Sequence, residues 1–598
     1  MAPLWAAFLL ALQTQPPPEP IRNWTFQRLE KNPRTGQPEV AALLEGREAV
    51  AIDLQKKIFE VRDVQAAYFT EPRNGGPSEK IVLRAEEGRY DDPAKSLSLR
   101  GRVRVERQDG TILEAPAAHA DLGTRTLHVP EGFRLWGPLG RLTGEDVVIE
   151  DSIRRTTVGR DGFLEILGRA ADLGGPPPGP DHPGLRQMTQ ISAQGPLVVL
   201  EPRDPADHLR VSARDGVRLD RIDPGGTVTV QARMVDILLS RSPNFRTGRS
   251  TLEPRRLVAW EDVKISGSLF AHEMGGIEAQ ADSVDWEYLD YGDGVLDVAV
   301  IEGAPLEVRG GSTRVSARRC RIERSENTAR FEGDVSADLA PLDGKGQGTP
   351  LKLSARRLDA RGAAGGVLRE VDATGAVILE GLGARAGRAE ADRFRWNLAE
   401  RRGSLEKSPF VRVVQQGSVI EAPQIVLEGT SIVVLKGPKR IRLTPEGSGA
   451  GAPTYRLTSE GDVIVDSSGP RTEIRIPERS SIRTQDLLVQ ADQLYVRLGA
   501  EGQPPERLRA LGNVHVRQLR DGAELYGERL DFDPAAQALA LVGRPDAVAQ
   551  MGGRTVLAER IFFREETDPR TGQKTRTTRM VGGSRGVRLL LNGAPGEP

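Results

Sequence analysis

What most restricts the fold of this chain is a rhythm. Short stretches alternate apolar and polar residues, each is closed by a residue pair that turns the backbone, and no helical period intervenes. The clearest run extends from Leu508 to Phe563. Val514 and Val516 alternate with polar neighbours, the signature of a strand with one buried face. Asp521-Gly522 tolerates positive φ, so a hairpin is predicted there. Leu525, Leu530 and Phe532 carry the return strand, and Asp533-Pro534 marks the next corner. Leu539 and Leu541 alternate up to Arg544-Pro545, Gly552-Gly553 turns the chain again, and Val556, Ile561 and Phe563 form the last strands of a predicted meander.

The same order of residues recurs near the N-terminus. Val103 and Val105 precede Asp109-Gly110, and Leu113 and Ala115 follow, as Leu525 and Gly527 follow Asp521-Gly522. Asp121 and Asp533 come next in the two copies, then Leu127 and Leu539. Pro130 with Phe133, and Gly140 with Val147 and Ile149, parallel Pro545, Gly553 and Phe563. Two looser copies lie between them. One runs through Val263, Ala279, Pro305, Val315 and Ala317, the other through Val377, Ala389, Pro409, Val419 and Ala422. Matching strands and turns at irregular spacing imply a repeated β module with variable loops.

Gly512-Asn513-Val514, the turn that follows, and the run from Gly527 into Asp531-Phe532-Asp533 resemble the OstA-like module of lipopolysaccharide-transport proteins. That family includes the LptA bridge, the LptC anchor and the periplasmic end of the outer-membrane assembly protein. The resemblance is clearest over 482–563 and 83–150 and weaker over 211–440. It consists of turn residues and alternating apolar positions, with no chemical signature. With the repeats, it implies an all-β, elongated chain of repeated antiparallel β-jellyroll modules, each an open, groove-like folded sheet, stacked edge to edge.

Composition narrows the function. Hydrophobic residues are 38% and aromatics only 5% of 598 residues, which suits a long curled sheet with a thin core. The 83 basic and 84 acidic residues leave a net charge of −1, so no global field favours nucleic acid or an anionic membrane surface. Twelve of the basic residues are Lys and 71 are Arg. Guanidinium forks suit phosphate and carboxylate, but Arg on solvated strand faces accounts for them more simply. Cys320 is the single cysteine, which excludes an intrachain disulfide and a Cys-based metal cluster. Its Arg-Arg-Cys-Arg setting could lower a thiol pKa, yet an ordinary strand residue is the better expectation.

Residues 1–20 hold an apolar run, Met1 to Leu12, and a Pro-rich linker. The run fits the apolar part of an export signal and is too short to span a bilayer. No Lys or Arg precedes Arg22, so an atypical signal, a downstream start or a truncated anchor of the LptC kind are the alternatives. Pro- and Gly-rich stretches divide the rest into modules at 21–170, 185–345, 346–445 and 446–598, with a linker at 171–184. Asn32-Pro33-Arg34-Thr35-Gly36-Gln37 recurs near the other end as Asp568-Pro569-Arg570-Thr571-Gly572-Gln573, so both ends reuse one hairpin design.

Catalytic and metal signatures are missing. None of His119, His128, His182, His208, His272 and His515 has ligand spacing with another, although His119 and His128 can meet across a hairpin as solvent-facing partners. No HExxH, GxSxG, Walker or kinase pattern occurs. Asp91-Asp92 and Asp531/Asp533 could form a glycosidase acid pair, but they read as turn aspartates holding local backbone hydrogen bonds. Gly310-Gly311 and Gly383/Gly387 lead into no helix that would cradle a phosphate.

A binding surface remains. The candidate inward set is Val103, Val105, Leu113, Leu127, Val377, Val514, Val516, Leu525, Leu539 and Leu541. The residues alone leave open whether this set lines a groove or fills a sealed core. The family resemblance implies a groove for acyl chains. It implies a non-enzymatic, cofactor-free carrier of lipopolysaccharide or a similar glycolipid in the periplasm or cell envelope of a two-membrane bacterium. Partners would be the inner-membrane transport complex, the outer-membrane assembly protein and other such β modules through edge strands. The alternative is a structural or adhesive envelope protein without lipid cargo.

Overall fold

The computed structural model describes residues 19–31, 38–53, 55–69, 80–137, 140–150, 154–167, 188–202, 207–223, 226–243, 250–267, 277–290, 295–310, 313–323, 326–339, 351–362, 368–382, 387–415, 418–429, 432–443, 454–468, 471–499, 505–567 and 574–591. Among them there are 38 β-strands and no α-helix. The chain divides into two compact units, Met1–Val308 with Arg321–Glu326, and Arg309–Cys320 with Asn327–Pro598.

Within each unit the strands form an antiparallel ladder in chain order. In the first unit the pairing runs without a break from Ile21–Lys31 to Ile277–Asp290. In the second it runs from Thr328–Leu339 to the terminal strands Lys574–Val581 and Arg588–Leu591. The pairing continues past the Gly- and Pro-rich stretches at which the sequence reading set its module boundaries. Residues 168–187, 340–350 and 444–453 lie outside the described residues, but the strands on either side of each pair directly: Leu167 with Met188, Leu339 with Leu351, and Leu443 with Tyr455. Such a composition marks a hairpin loop as readily as a linker, because both need only exposed, turn-tolerant backbone. The repeated hairpins 32–37 and 568–573 also lie outside the described residues, and their flanks likewise pair, Lys31 with Pro38 and Thr567 with Lys574.

Most long strands are broken once near the middle. On Ser96–Arg107 the register with Ile112–Asp121 jumps between Arg100 and Val103, where Gly101 and Arg102 have φ of 70° and 44°. The same left-handed pair recurs at Asp215-Gly216, Glu261-Asp262, Gly333-Asp334, Gly375-Ala376 and Gly512-Asn513, each at a register jump. Elsewhere a proline occupies the break. Pro130 separates Thr126–Val129 from Phe133–Gly137, Pro196 separates Met188–Ala193 from Leu197–Leu200, and Pro438 separates Ile432–Lys436 from Lys439–Leu443. Pro409 and Pro545 lie at register jumps inside Arg402–Gln415 and Ala538–Met551. Proline has no N–H to give the ladder, so it fits where the ladder is already interrupted. Arg544-Pro545 thus bends a strand that continues to Met551, where the sequence suggested an end. Val556, Ile561 and Phe563 share one strand, Arg554–Thr567.

The left-handed pair converts each strand into two arms while keeping its parity. Buried residues on the two sides of the bend are four apart, with the pair between them: Leu99 and Val103, Ala213 and Val217, Ala373 and Val377, Ala510 and Val514. The same face is therefore buried on both arms, and the core lies between them. The outer faces carry cross-strand ion pairs, such as Arg210 with Asp236, Arg256 with Asp285 and Arg330 with Asp359. Many of the described Arg residues are used this way, among them Arg318 with Asp334, Arg393 with Asp372 and Arg497 with Glu473.

Arm tips are closed by a repeated turn. Asp53, Asp91, Asp121, Asn397 and Asp533 each accept a hydrogen bond from a backbone N–H two or three residues on, at 2.7–3.1 Å. The residue four after each, Lys57, Lys95, Arg125, Arg401 and Gln537, is left-handed. A short acceptor side chain stabilises the turn without constraining the residues between.

Candidate functional site

The inward set predicted from sequence falls largely between the arms. Val103, Val105, Leu113, Val377, Val514, Val516, Leu525, Leu539 and Leu541 are 0–4% exposed. Leu127 is only half-buried, although Val129 on the same four-residue strand, Thr126–Val129, is fully buried. Val103, Val105 and Leu113 pack in the first unit, and Val377, Val514, Val516, Leu525, Leu539 and Leu541 in the second. Val516 pairs with Leu525, while the intervening His515 turns outward and stacks on Tyr526, with ring centroids 4.6 Å apart and planes at 4°. Nine of the ten are thus covered by protein, as in a closed core.

In the first unit the seam between the arms carries a narrow cleft with about 20 Å³ of room, lined by Leu219, Ile237, Leu257, Trp286, Tyr288 and Arg221 among others. Leu219 and Arg221 belong to the second arm of Leu209–Asp223, whereas Ile237, Leu257 and Trp286 belong to first-arm segments that pair with one another. The Arg221 guanidinium crosses between arms and lies over two aromatic faces, 4.9 Å from the Trp286 ring centroid and 4.7 Å from that of Tyr288. Such an arrangement is attractive because the ring face is electron-rich. The Trp286 Nε1–H donates to buried Asp297 at 2.5 Å, which fixes the indole plane as a shelf. Arg256 at the rim forms a two-pronged pair with Asp285 at 2.9 and 2.6 Å.

A second contact joins arm tips in the same unit. Arg107, at the end of Ser96–Arg107, meets Glu201, just after Leu197–Leu200, at 3.4 Å, and both side chains are buried. Arg107 also lies 3.4 Å from Asp109. Sequence reading passed over Arg107, Glu201, Arg221, Trp286 and Tyr288. The signal was nonetheless present. Arg107 shares the parity of Val103 and Val105, and Arg221 that of Val217 and Leu219, so each places a charge on an inward position near a strand end.

The remaining chemistry-bearing candidates have structural settings. Asp531 is not at a turn but in mid-strand, ringed by Arg507, Arg509 and Arg529 at 2.9, 2.9 and 2.7 Å. Partial burial works to raise its pKa, and the three guanidinium hydrogen bonds override it and hold the carboxyl below its ordinary value. Asp533 and Asp91 are turn acceptors, as expected. His119 and His128 are cross-strand partners, occupied by Ser98 at 2.9 Å and Asp146 at 2.8 Å respectively. His182 and His272, with Gly311 and Gly383, lie outside the described residues. Cys320 is fully buried, and burial pushes its thiol pKa up, which makes it inert. Among the described residues no group of His, Cys, Asp and Glu could hold a metal ion, and no helix is long and apolar enough to cross a membrane.

Each ladder has an outer strand that pairs, among the described residues, on one side alone. Ile21–Lys31 pairs, among the described residues, only with Pro38–Asp53, and exposes Ile21 and Leu29. Lys574–Val581 and Arg588–Leu591 pair, among the described residues, only with Arg554–Thr567, and Leu589 and Leu590 are exposed. In comparison with known proteins, the chain matches no protein-family model and no curated protein sequence.

Proposed function

We propose that this chain is a lipid carrier of the cell envelope, passing lipopolysaccharide or a similar glycolipid from inner to outer membrane, and that acyl chains occupy the seam between the arms. The observation that carries this reading is the seam itself: one apolar face, repeated on strand after strand and lined by aliphatic side chains. Each buried methylene of an acyl chain contributes about 0.8 kcal/mol, so a linear aliphatic lining suits a linear aliphatic ligand. The role is carriage, not catalysis. The outer strands Ile21–Lys31 and Arg588–Leu591, paired among the described residues on one side alone, suit pairing with β modules of an inner-membrane transport complex and an outer-membrane assembly protein. In this reading the chain works in the periplasm, free or anchored.

The near-complete burial of nine candidate residues favours a second reading, a structural or adhesive envelope protein whose seam stays shut. Under the carrier reading the arms part to admit cargo. Photocrosslinking from Val105, Leu219, Val377 and Val516 to labelled lipopolysaccharide, with His515 as the outward control, decides between them. The carrier reading requires labelling at inward sites and little at His515. Equal labelling inside and outside, or none, leaves the structural reading as the account.

A further inference from the structure

Between the continuous strands Ser418–Glu428 and Arg507–Gln518 the second ladder changes character. The chain makes four passes there and each is split, so that eight strands of four or five residues stand where four long ones would. On one arm the halves pair in the order Ile432–Lys436, Val463–Asp466, Glu473–Ile476, Gln493–Arg497. On the other they pair in the order Lys439–Leu443, Tyr455–Ser459, Ser480–Arg483, Leu487–Ala491. The arms thus pair separately, and at the crease the chain joins them through 437–438, 460–462, 477–479 and Asp492. Leu351–Gly362 and Leu368–Leu382, by contrast, run through the bend as single strands.

The crease of this segment is also polar. Lys439 occupies an inward position, with Ser459 and then Ser480 as its successive cross-strand neighbours, and all three are buried. The continuous strands bury Ala373 and Val377, or Ala510 and Val514, beside their bends. The Lys439 ammonium donates to the Leu435 carbonyl at 2.9 Å, on the far side of the crease, and to that of Gly461. Ser459 Oγ also donates to the Gly461 carbonyl, at 3.2 Å, while Ser480 Oγ meets no hydrogen-bond partner. The charged groups facing Lys439 are Asp462, Glu478 and Lys436, and Asp462 is itself paired with Lys436. Burying an ammonium and an unpaired hydroxyl is costly, and two carbonyls offset only part of it.

We propose that these eight short strands form a hinge at which the arms of the second unit part, and that the cation buried in its crease biases the hinge towards opening. The proposal rests on the carrier reading for its purpose, the admission of an acyl chain, but the hinge itself opens without lipid. Short connectors at element ends absorb the change in backbone angle. Opening breaks no ladder shared by the two arms and returns the ammonium and the Ser480 hydroxyl to water. Burial pushes the Lys439 amine down to about 8. The cost of the closed state is therefore fully present below that pH and is relieved as pH rises through it. Tyr455 on the neighbouring strand keeps its proton there, because burial pushes its phenol above the ordinary value.

The test uses the whole chain with Cys320→Ala and a single reporter thiol, either Ala491→Cys or Ala373→Cys. Ala491 pairs with Ser480 in the crease of the hinge, Ala373 lies beside the bend of a continuous strand, and both are buried. Labelling by a soluble disulfide reagent, divided by the rate of a free thiol at the same pH, reads the opening of each site. The thiol at 491 is expected to label at least about tenfold faster than that at 373. Its opening should fall about tenfold between about pH 7 and pH 9, because one proton is taken up on opening. Lys439→Met keeps the length and drops the charge, so it should lower opening at pH 7 and remove the pH dependence. Equal labelling at 491 and 373 overturns the hinge. Opening that ignores pH, or that Lys439→Met leaves unchanged or raises, overturns the role of the cation. If the hinge opens as expected but labelled lipopolysaccharide reaches neither Val377 nor Val516, the carrier reading falls and the hinge stands. Labelling of Val516 in a chain whose hinge stays shut does the reverse.

Discussion

At the scale of the residue, Asp531 shows how this chain handles charge. Three guanidinium groups from two strands converge on one carboxylate whose side chain is 22% exposed, so the interaction is partly shielded from solvent and stronger than a lone surface pair. Its folded pKa is depressed. The stabilisation is therefore complete above the unfolded carboxyl pKa and is lost as pH falls through the lower folded value. Asp359, held by Arg330 and Arg357 against the upward pull of its burial, and Glu473, held by Arg497 and Arg475, behave alike. Asp531→Asn is expected to cost about 1 kcal/mol at neutral pH. The gap between variant and wild type should begin to narrow as pH falls below about 4. Urea midpoints measured from pH 7 to 3 check this, and a gap independent of pH would assign the loss to shape instead of charge.

At the scale of the element, the decisive device is the left-handed pair in mid-strand. Gly512 has φ of 73°, and a Cβ placed there would lie 2.7 Å from the Asp492 carboxylate and 3.1 Å from its Cβ. Gly522, in the hairpin turn, has a similar φ of 69° but open space around it. Alanine at either position meets the backbone cost of the left-handed region, roughly 1–2 kcal/mol. Only Gly512→Ala should meet the neighbour as well, and should disturb the Asn513–Asp492 hydrogen bond of 2.7 Å beside it. Gly512→Ala is thus expected to lower the urea midpoint more than Gly522→Ala, and equal losses would mean that the bend has room to adjust. The pair was visible in the sequence as Gly-Asn, but a Gly-Asn pair reads equally well as a chain reversal. What distinguishes a bend from a reversal is whether the strand beyond it pairs with the same neighbour as the strand before it, and that is a fact about two chains of backbone.

At the scale of the whole molecule, pairing continues across stretches at which the sequence reading set module boundaries. Leu167 pairs with Met188, so the strands on both sides of 168–187 belong to one ladder. A protease site inserted near residue 178 and cut is therefore expected to leave the two fragments associated in native buffer and separable only in denaturant. Size-exclusion chromatography before and after cleavage checks it, and fragments that part and remain folded would restore the linker. The sequence by itself determined the secondary structure, the inward parity and the hairpin turns, because alternation and turn residues act over a few neighbours. It showed that Val103, Val516 and Leu541 face one way and His515 the other. The tertiary structure alone decided that the ladder folds into two arms, that Pro545 bends a strand instead of ending it, that three arginines meet at Asp531, and that Arg221 lies on Trp286 and Tyr288. Arg221 and Trp286 are 65 residues apart in sequence. No local pattern specifies such a meeting, because it depends on the sum of the bends and registers of every strand between them.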